Sequence, residues 1–334
     1  MTEFLDACYN AIKKQETSIS ETIASADERG ADILKDKRRI VLTGCGDSYA
    51  VGEYGKWAFL GVGLNAISLS TTEISRIQLN KDDVVIGVTA SGRSLATIEA
   101  LETAKSANAT IIVLTDNESG NASALADYVW VTQSGVRTHN ISPSSVTTTA
   151  MAYLLKLAVK YQAESESSVY NDLQKLKGNG KQLLEWAETV GKESSKVGVP
   201  GKSLYMISHG PNYAAALIGM MKFNEYGVIQ SNAAPWEDFR HHYVLTMNRG
   251  DTAFLVTDSP IDEKDERYFQ ALTDTLKMKA FHLHTPESFG LTSPLGQAIA
   301  NSIALQMAAY YNVMEYDPGK EFWRKPNVNA FKIY

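Results

Sequence analysis

The sequence predicts an α/β protein with two parallel sheets, each covered by helices on both faces, and three observations carry that expectation. First, short, fully apolar runs alternate with helical patterns: Ile40-Val41-Leu42, Val84-Val85-Ile86-Gly87-Val88 and Ile111-Ile112-Val113-Leu114. Strands of this kind are buried on both sides, which is the mark of a parallel sheet between helical layers. Second, each run leads into a Gly- or hydroxyl-rich loop and then into a helical pattern, the order of a βα unit. Third, the pattern repeats within the chain. Leu204 to Ala214 aligns with Ile40 to Ala50, which sets Gly210 on Gly46 and Tyr213 on Tyr49 at an offset of 164 residues. Asp251 to Ser259 aligns with Asp83 to Ser91 at an offset of 168, and Thr285 falls near Thr115. A duplicated three-layer αβα unit of flavodoxin-like type accounts for all three.

In chain order, residues 1–34 carry Phe4, Leu5, Cys8, Ile12, Ile19 and Ile23 at near-helical spacing, so a helical packing arm is expected there. Residues 35–165 hold the first α/β domain. Residues 166–199 show helical patterns around Leu173, Leu176, Leu183 and Leu184 without a strand, as a connector would. Residues 200–334 hold the second α/β domain and a C-terminal tail. A length of 334 residues suits two such domains.

Composition narrows the function. The chain is 44% hydrophobic and 21% charged, with a formal net charge of -6, so no general basic field draws it to nucleic acid or to an anionic membrane. Cys8 and Cys45 do not form a disulfide framework, Met1 to Tyr9 lacks a basic start, and no run approaches the roughly 20 apolar residues of a membrane span. A reducing, cytoplasmic setting is expected. An anionic substrate must then be held by local groups.

The loops Gly46-Asp47-Ser48 and Thr89-Ala90-Ser91-Gly92-Arg93-Ser94 join strand ends to helix starts, where open α/β sheets bind ligands. Free N–H groups at a helix start and the hydroxyls of Ser48, Thr89, Ser91 and Ser94 suit a phosphate. Turns and helix caps would use the same residues. Gly44-Cys45-Gly46 opens like a dinucleotide fingerprint, but Tyr49 stands at the third glycine position and its ring would block close helix packing.

In the second half, the stretch from about Asn212 to Tyr226 is apolar nearly all round and reads as a buried helix, interrupted by Lys222 and Glu225. Three residues apart, these two share a face. They form either an altered acid–base pair or an ordinary solvated ion pair. Downstream, Trp236-Glu237-Asp238-Phe239-Arg240-His241-His242-Tyr243 crowds ionisable and aromatic groups, with histidine as the natural proton carrier near neutrality. A polar interface loop would explain the same residues. Glu237 with His241, or Asp238 with His242, could share a metal, but no third ligand stands out.

Gly44-Cys45-Gly46-Asp47-Ser48-Tyr49, Thr89-Ala90-Ser91-Gly92, Lys222-Phe223-Asn224-Glu225 and Phe239-Arg240-His241 together resemble the isomerase half of glutamine–fructose-6-phosphate aminotransferase, a protein of tandem sugar-isomerase (SIS) domains. The likeness runs over nearly the whole chain. It implies two SIS domains with a sugar 6-phosphate or aminosugar 6-phosphate in the first. The substrate would be held by Gly46, Asp47, Ser48, Thr89, Ala90, Ser91, Ser94 and Ser144.

The resemblance also implies roles. Glu225 matches the proton-shuttling glutamate, His241 the ring-opening histidine, and Lys222 the accompanying lysine. Within Pro326 to Lys332, Lys332 matches the lysine that reaches the substrate carbonyl. In the family the histidine comes from a neighbouring subunit, which implies a homodimer. No metal or other cofactor is implied.

Departures stand beside the likeness. Asp47 replaces the family's threonine, and Ala90 and Arg93 replace its glutamine and glutamate. His242 replaces a glycine, and Ile141 to Ser145 follow the family's substrate-covering segment only loosely. The chain begins at the packing helix without a glutaminase domain, so glutamine-dependent synthesis is not expected. The expected activity is a C1–C2 proton transfer, by an aldose–ketose isomerase or an aminosugar-phosphate deaminase of the glucosamine 6-phosphate and fructose 6-phosphate type. A deglycase of sugar-amine 6-phosphates and a non-catalytic phosphosugar sensor remain as alternatives.

Overall fold

The structure, a computed structural model, describes residues 2–136, 138, 140–162 and 167–322. The chain opens with two helices, α1 (Glu3–Lys13) and α2 (Gln15–Ser25). Thr2 caps α1 by accepting a hydrogen bond from the Leu5 amide at 3.3 Å, and Leu5, Cys8, Ala11 and Ile12 form its buried stripe. Then come β1 (Arg39–Gly44), α3 (Asp47–Leu60), β2 (Ala66–Ser70), β3 (Asp83–Val88), α4 (Leu95–Ser106), β4 (Thr110–Thr115), β5 (Tyr128–Val131) and α5 (Ser145–Lys160). Helices α6 (Ser168–Gly178) and α7 (Gly180–Ser194) lead to β6 (Ser203–Ser208), α8 (Asn212–Tyr226), β7 (Gln230–Pro235), α9 (Trp236–His241), β8 (Thr252–Val256), α10 (Glu263–Gln270), β9 (Lys279–Leu283) and α11 (Pro294–Tyr316).

Both sheets are wholly parallel, as the apolar runs predict. The first has the order β2-β1-β3-β4-β5, with Leu42 of β1 in register with Ser68 on one side and Ile86 on the other. The second has the order β7-β6-β8-β9, with Met206 of β6 opposite Phe254 of β8. In each sheet the chain starts in an inner strand, places the next strand on one side and the rest on the other. Each sheet therefore has a switch point, beside β1 and beside β6, where the two neighbouring loops diverge and leave a cleft at the strand ends.

The principal apolar core lies between the two sheets. It joins Leu42 and Ile86 of the first sheet to Met206 and Phe254 of the second through Leu154 of α5, Ala215 of α8 and Leu305 of α11. Helix α8 packs on α3 and α11, and its small residues Ala214, Ala215, Ala216 and Gly219 allow that approach. Each fully buried leucine or phenylalanine here contributes about 1.5 to 3 kcal/mol relative to exposure. The consequence for the site is direct: the last turn of α8, from the second half, is held against the first turn of α3, from the first half.

Candidate active site

A cavity of about 330 Å³ lies over the carboxyl ends of β1, β3 and β4, at the switch point of the first sheet. Three helix starts meet there. Gly46, Ser94 and Ser144 are the residues immediately preceding α3, α4 and α5, and all three line the cavity. Gly46 adopts φ +56°, a left-handed conformation that favours glycine, and so turns the chain sharply from β1 into α3. Its counterpart Gly210 has φ +54°, which supports the internal repeat read from the sequence. The amide N–H groups and dipoles at three helix starts favour an anion at this end of the cavity.

All eight residues expected to hold the substrate line this one cavity: Gly46, Asp47, Ser48, Thr89, Ala90, Ser91, Ser94 and Ser144. Ser91 Oγ accepts a hydrogen bond from the Arg93 amide at 3.3 Å, and Ser94 Oγ lies 3.6 Å from Cys45 Sγ. Ser144 Oγ is buried and has no partner among the described residues, so it is free to serve a ligand. Arg93 is exposed and does not line the cavity.

The opposite wall carries the charges. Glu225, in the last turn of α8, reaches the cavity with 16% of its side chain accessible. Lys222, one turn earlier, is buried, with its ammonium 2.9 Å from Glu225 Oε2. The same nitrogen lies 2.9 Å from Asp47 Oδ1 and 3.0 Å from Asp47 Oδ2. The reading of Lys222 and Glu225 as an ordinary solvated pair is thereby overturned, because packing of α8 on α3 removes the ammonium from water. Asp47 neither caps α3 nor faces an anion freely; it is turned onto Lys222.

Electrostatics follow from this arrangement. Burial pushes Glu225 up, and Lys222 opposes it while Asp47 adds to it; the result is an acid raised from 4.5 to about 7. Burial works against the Lys222 charge, but Asp47 and then Glu225 outweigh it and hold its proton above the ordinary lysine range. The two upward shifts have different causes: Lys222 has two attractive neighbours that outweigh its burial, whereas Glu225 is raised first by burial, with Asp47 adding to it against the attraction of Lys222.

Two further groups complete the Glu225 surroundings, and sequence spacing signalled neither. Ser142 donates to Glu225 Oε2 at 2.7 Å, and Cys8 of α1 lies close by, its thiol pushed up by burial. Elsewhere in the cavity, Asp116 accepts hydrogen bonds from Thr132 Oγ1 at 2.9 Å, Ser134 N at 3.0 Å and Ser134 Oγ at 2.5 Å, which occupy both its oxygens.

His241 ends α9, is exposed, and does not line this cavity in its own chain. Lys332 lies outside the described residues. Glu237, one of the residues weighed as a metal ligand, pairs with Arg240 at 2.6 Å, and among the described residues no group of three or more His, Cys, Asp or Glu could hold a metal ion. No described helix is long and apolar enough to cross a membrane.

The family model of the SIS domain matches residues 33–160. Glutamine–fructose-6-phosphate aminotransferase of Aquifex aeolicus is 25% identical over 274 residues, covering 80% of this chain and 45% of the relative. The Clostridium tetani protein of the same name is 24% identical over 341 residues, covering 91% and 55%. The chain thus spans about half the length of these curated relatives. Among solved structures, the C-terminal domain of glucosamine-fructose-6-phosphate aminotransferase from Francisella tularensis superposes with TM-score 0.75 at 17% identity, over 92% of this chain and 95% of that one. Glucosamine-6-phosphate deaminase from Thermotoga maritima also gives 0.75, at 16% identity over 96% and 97%. Tagatose-6-phosphate ketose/aldose isomerase from Escherichia coli gives 0.70, at 18% identity over 96% of both chains. The matched SIS domain, residues 33–160, supplies all of the cavity lining except Ala11 and Glu225, and similarity to these relatives extends over most of the chain.

Proposed function

We propose that this chain is a cytoplasmic phosphosugar enzyme that moves a proton between C1 and C2 of a sugar 6-phosphate or aminosugar 6-phosphate. The observation that carries the reading is the position of Glu225: a half-buried carboxylate that titrates near neutrality opens onto the same cavity as three helix starts. Such a group is suited to both take and return a proton.

In this reading the phosphate sits against the starts of α3, α4 and α5, with Ser48, Ser91, Ser94 and Ser144 as hydroxyl partners. Hydrogen bonds to a charged group contribute roughly 1.5 to 3 kcal/mol each, so a few of them hold a phosphate without a cation in direct contact. Glu225 takes the proton from one carbon and delivers it to the next through an enediol or enolamine, so no proton is gained or lost overall. Lys222 orients the carboxylate. His241, supplied by the second subunit of a homodimer, assists ring opening, and Lys332 engages the carbonyl or the displaced amine.

Two carboxylates that line the cavity and share Lys222, Asp47 at the start of α3 and Glu225 in the last turn of α8, favour a substrate that bears an amine. This supports glucosamine 6-phosphate, with fructose 6-phosphate on the ketose side, and keeps deamination and deglycation within the same reading.

Deuterium exchange followed by NMR tests the reading. The protein is incubated in deuterated water with a panel of sugar and aminosugar 6-phosphates, beside Glu225→Gln. The wild type is expected to place deuterium at C1 or C2 of one of them, and the variant to lose about 10² to 10⁴ of that rate. Saturable binding without exchange by the wild type would replace the enzyme with a phosphosugar sensor.

A further inference from the structure

Asp47 opens α3 and faces the cavity, yet both its oxygens lie against Lys222, at 2.9 Å and 3.0 Å, and Thr147 donates to Oδ1 at 3.4 Å. Lys222 has one ammonium for two carboxylates. Asp47 and Glu225 each approach that nitrogen to 2.9 Å, so their bonded oxygens lie within about 6 Å of one another. Whichever is ionised disfavours ionisation of the other.

The groups facing Glu225 are Lys222 and Tyr226 of its own helix, Asp47 of α3, Cys8 of α1 and Ser142 of the loop before α5. Lys222 is the one cation among them. Had it a single partner, Lys222 would favour that partner's ionised form unopposed and so weaken its hold on a proton. A second carboxylate on the same ammonium changes this balance.

We propose that Asp47 is a positioning residue for the proton transfer assigned above: by holding one side of Lys222 it denies Glu225 a full counter-ion and leaves Glu225 able to carry the migrating proton. The catalytic meaning of Asp47 rests on that assignment. The division of the charge rests on the geometry of the three side chains alone.

The two parts are separable by experiment. In substrate-free protein labelled with ¹³C at glutamate Cδ, the Glu225 resonance is assigned by its loss in Glu225→Gln and titrated in wild type, Asp47→Asn and Asp47→Glu. Two unit charges about 6 Å apart at an effective dielectric near 20 shift one another by roughly two pH units. The Glu225 midpoint is therefore expected to fall by about that amount in Asp47→Asn and to return in Asp47→Glu, and the acid limb of the exchange rate should move with it. An unmoved midpoint in folded Asp47→Asn overturns the proposal even if exchange persists. Should that variant lose its near-ultraviolet circular dichroism, Asp47→Thr carries the same test, since it also removes the charge. A shifted midpoint without exchange on any sugar phosphate would sink the proton-transfer role and leave the charge division standing.

Discussion

The hydroxyl of Ser142 donates a 2.7 Å hydrogen bond to Glu225 Oε2 across 83 residues of sequence. It binds the ionised carboxylate better than the neutral acid and so counters the burial that raises Glu225. Ser142→Ala is expected to move the Glu225 midpoint further up, by a few tenths to about one pH unit, and to cost roughly 1 to 2 kcal/mol of stability. Titration of labelled glutamate beside urea unfolding reads both effects. A midpoint that falls would show that the hydroxyl does not serve the charged form.

Glu225 also ties stability to pH. Its folded value is above its unfolded one, so its contribution is complete below about pH 4.5 and is lost as pH rises through about 7. Wild type should therefore lose, relative to Glu225→Gln, on the order of 3 kcal/mol across that window. Urea melts of both proteins through the window measure the difference. A difference that stays level with pH contradicts the raised proton affinity.

Removing the ammonium should be costlier than removing either acid. Lys222→Met keeps most of the stem volume but leaves Asp47 and Glu225 facing each other without a cation, at a cost of about 3 kcal/mol at neutral pH. Protonation relieves the repulsion, so the loss should shrink under mildly acidic conditions. Denaturant midpoints at the two pH values test this, and an equal loss at both would point to packing of the stem rather than charge.

The exposed position of His241, away from the cavity of its own chain, makes its proposed role a matter of assembly. Glu225→Gln and His241→Ala should each be inactive alone. Mixed in equal amounts under conditions that exchange subunits, they should recover about a quarter of wild-type exchange, because half the dimers are mixed and each restores one site of two. Activity of His241→Ala alone at the wild-type level would remove the residue from the reaction.

What the sequence determined by itself was the inner frame. The inner strands β1, β3, β4, β6 and β8 are buried nearly throughout, and their unbroken apolar runs are legible because burial on both faces permits no other composition. The edge strands β2, β7 and β9 mix polar residues with small or apolar ones and are half-exposed, and β5 is four residues long, so no comparable run announced them. Helix α8 was legible from its apolar surface, and the Lys222–Glu225 pair from its three-residue spacing. The cavity-lining loops after β1 and β3 were legible because each follows an inner strand.

Only the tertiary structure decided what those groups do to one another. Asp47 and Lys222 are separated by 175 residues and meet because α3 and α8 pack together between two sheets. No local spacing encodes that contact, nor the hydroxyl that Ser142 brings to Glu225 or the thiol of Cys8 beneath it. Periodicity reports which face of an element is buried; it does not report which face of another element lies against it. The proton affinity of Glu225 depends on that second fact, since it arises from burial and from the sharing of one ammonium between carboxylates of two halves of the chain.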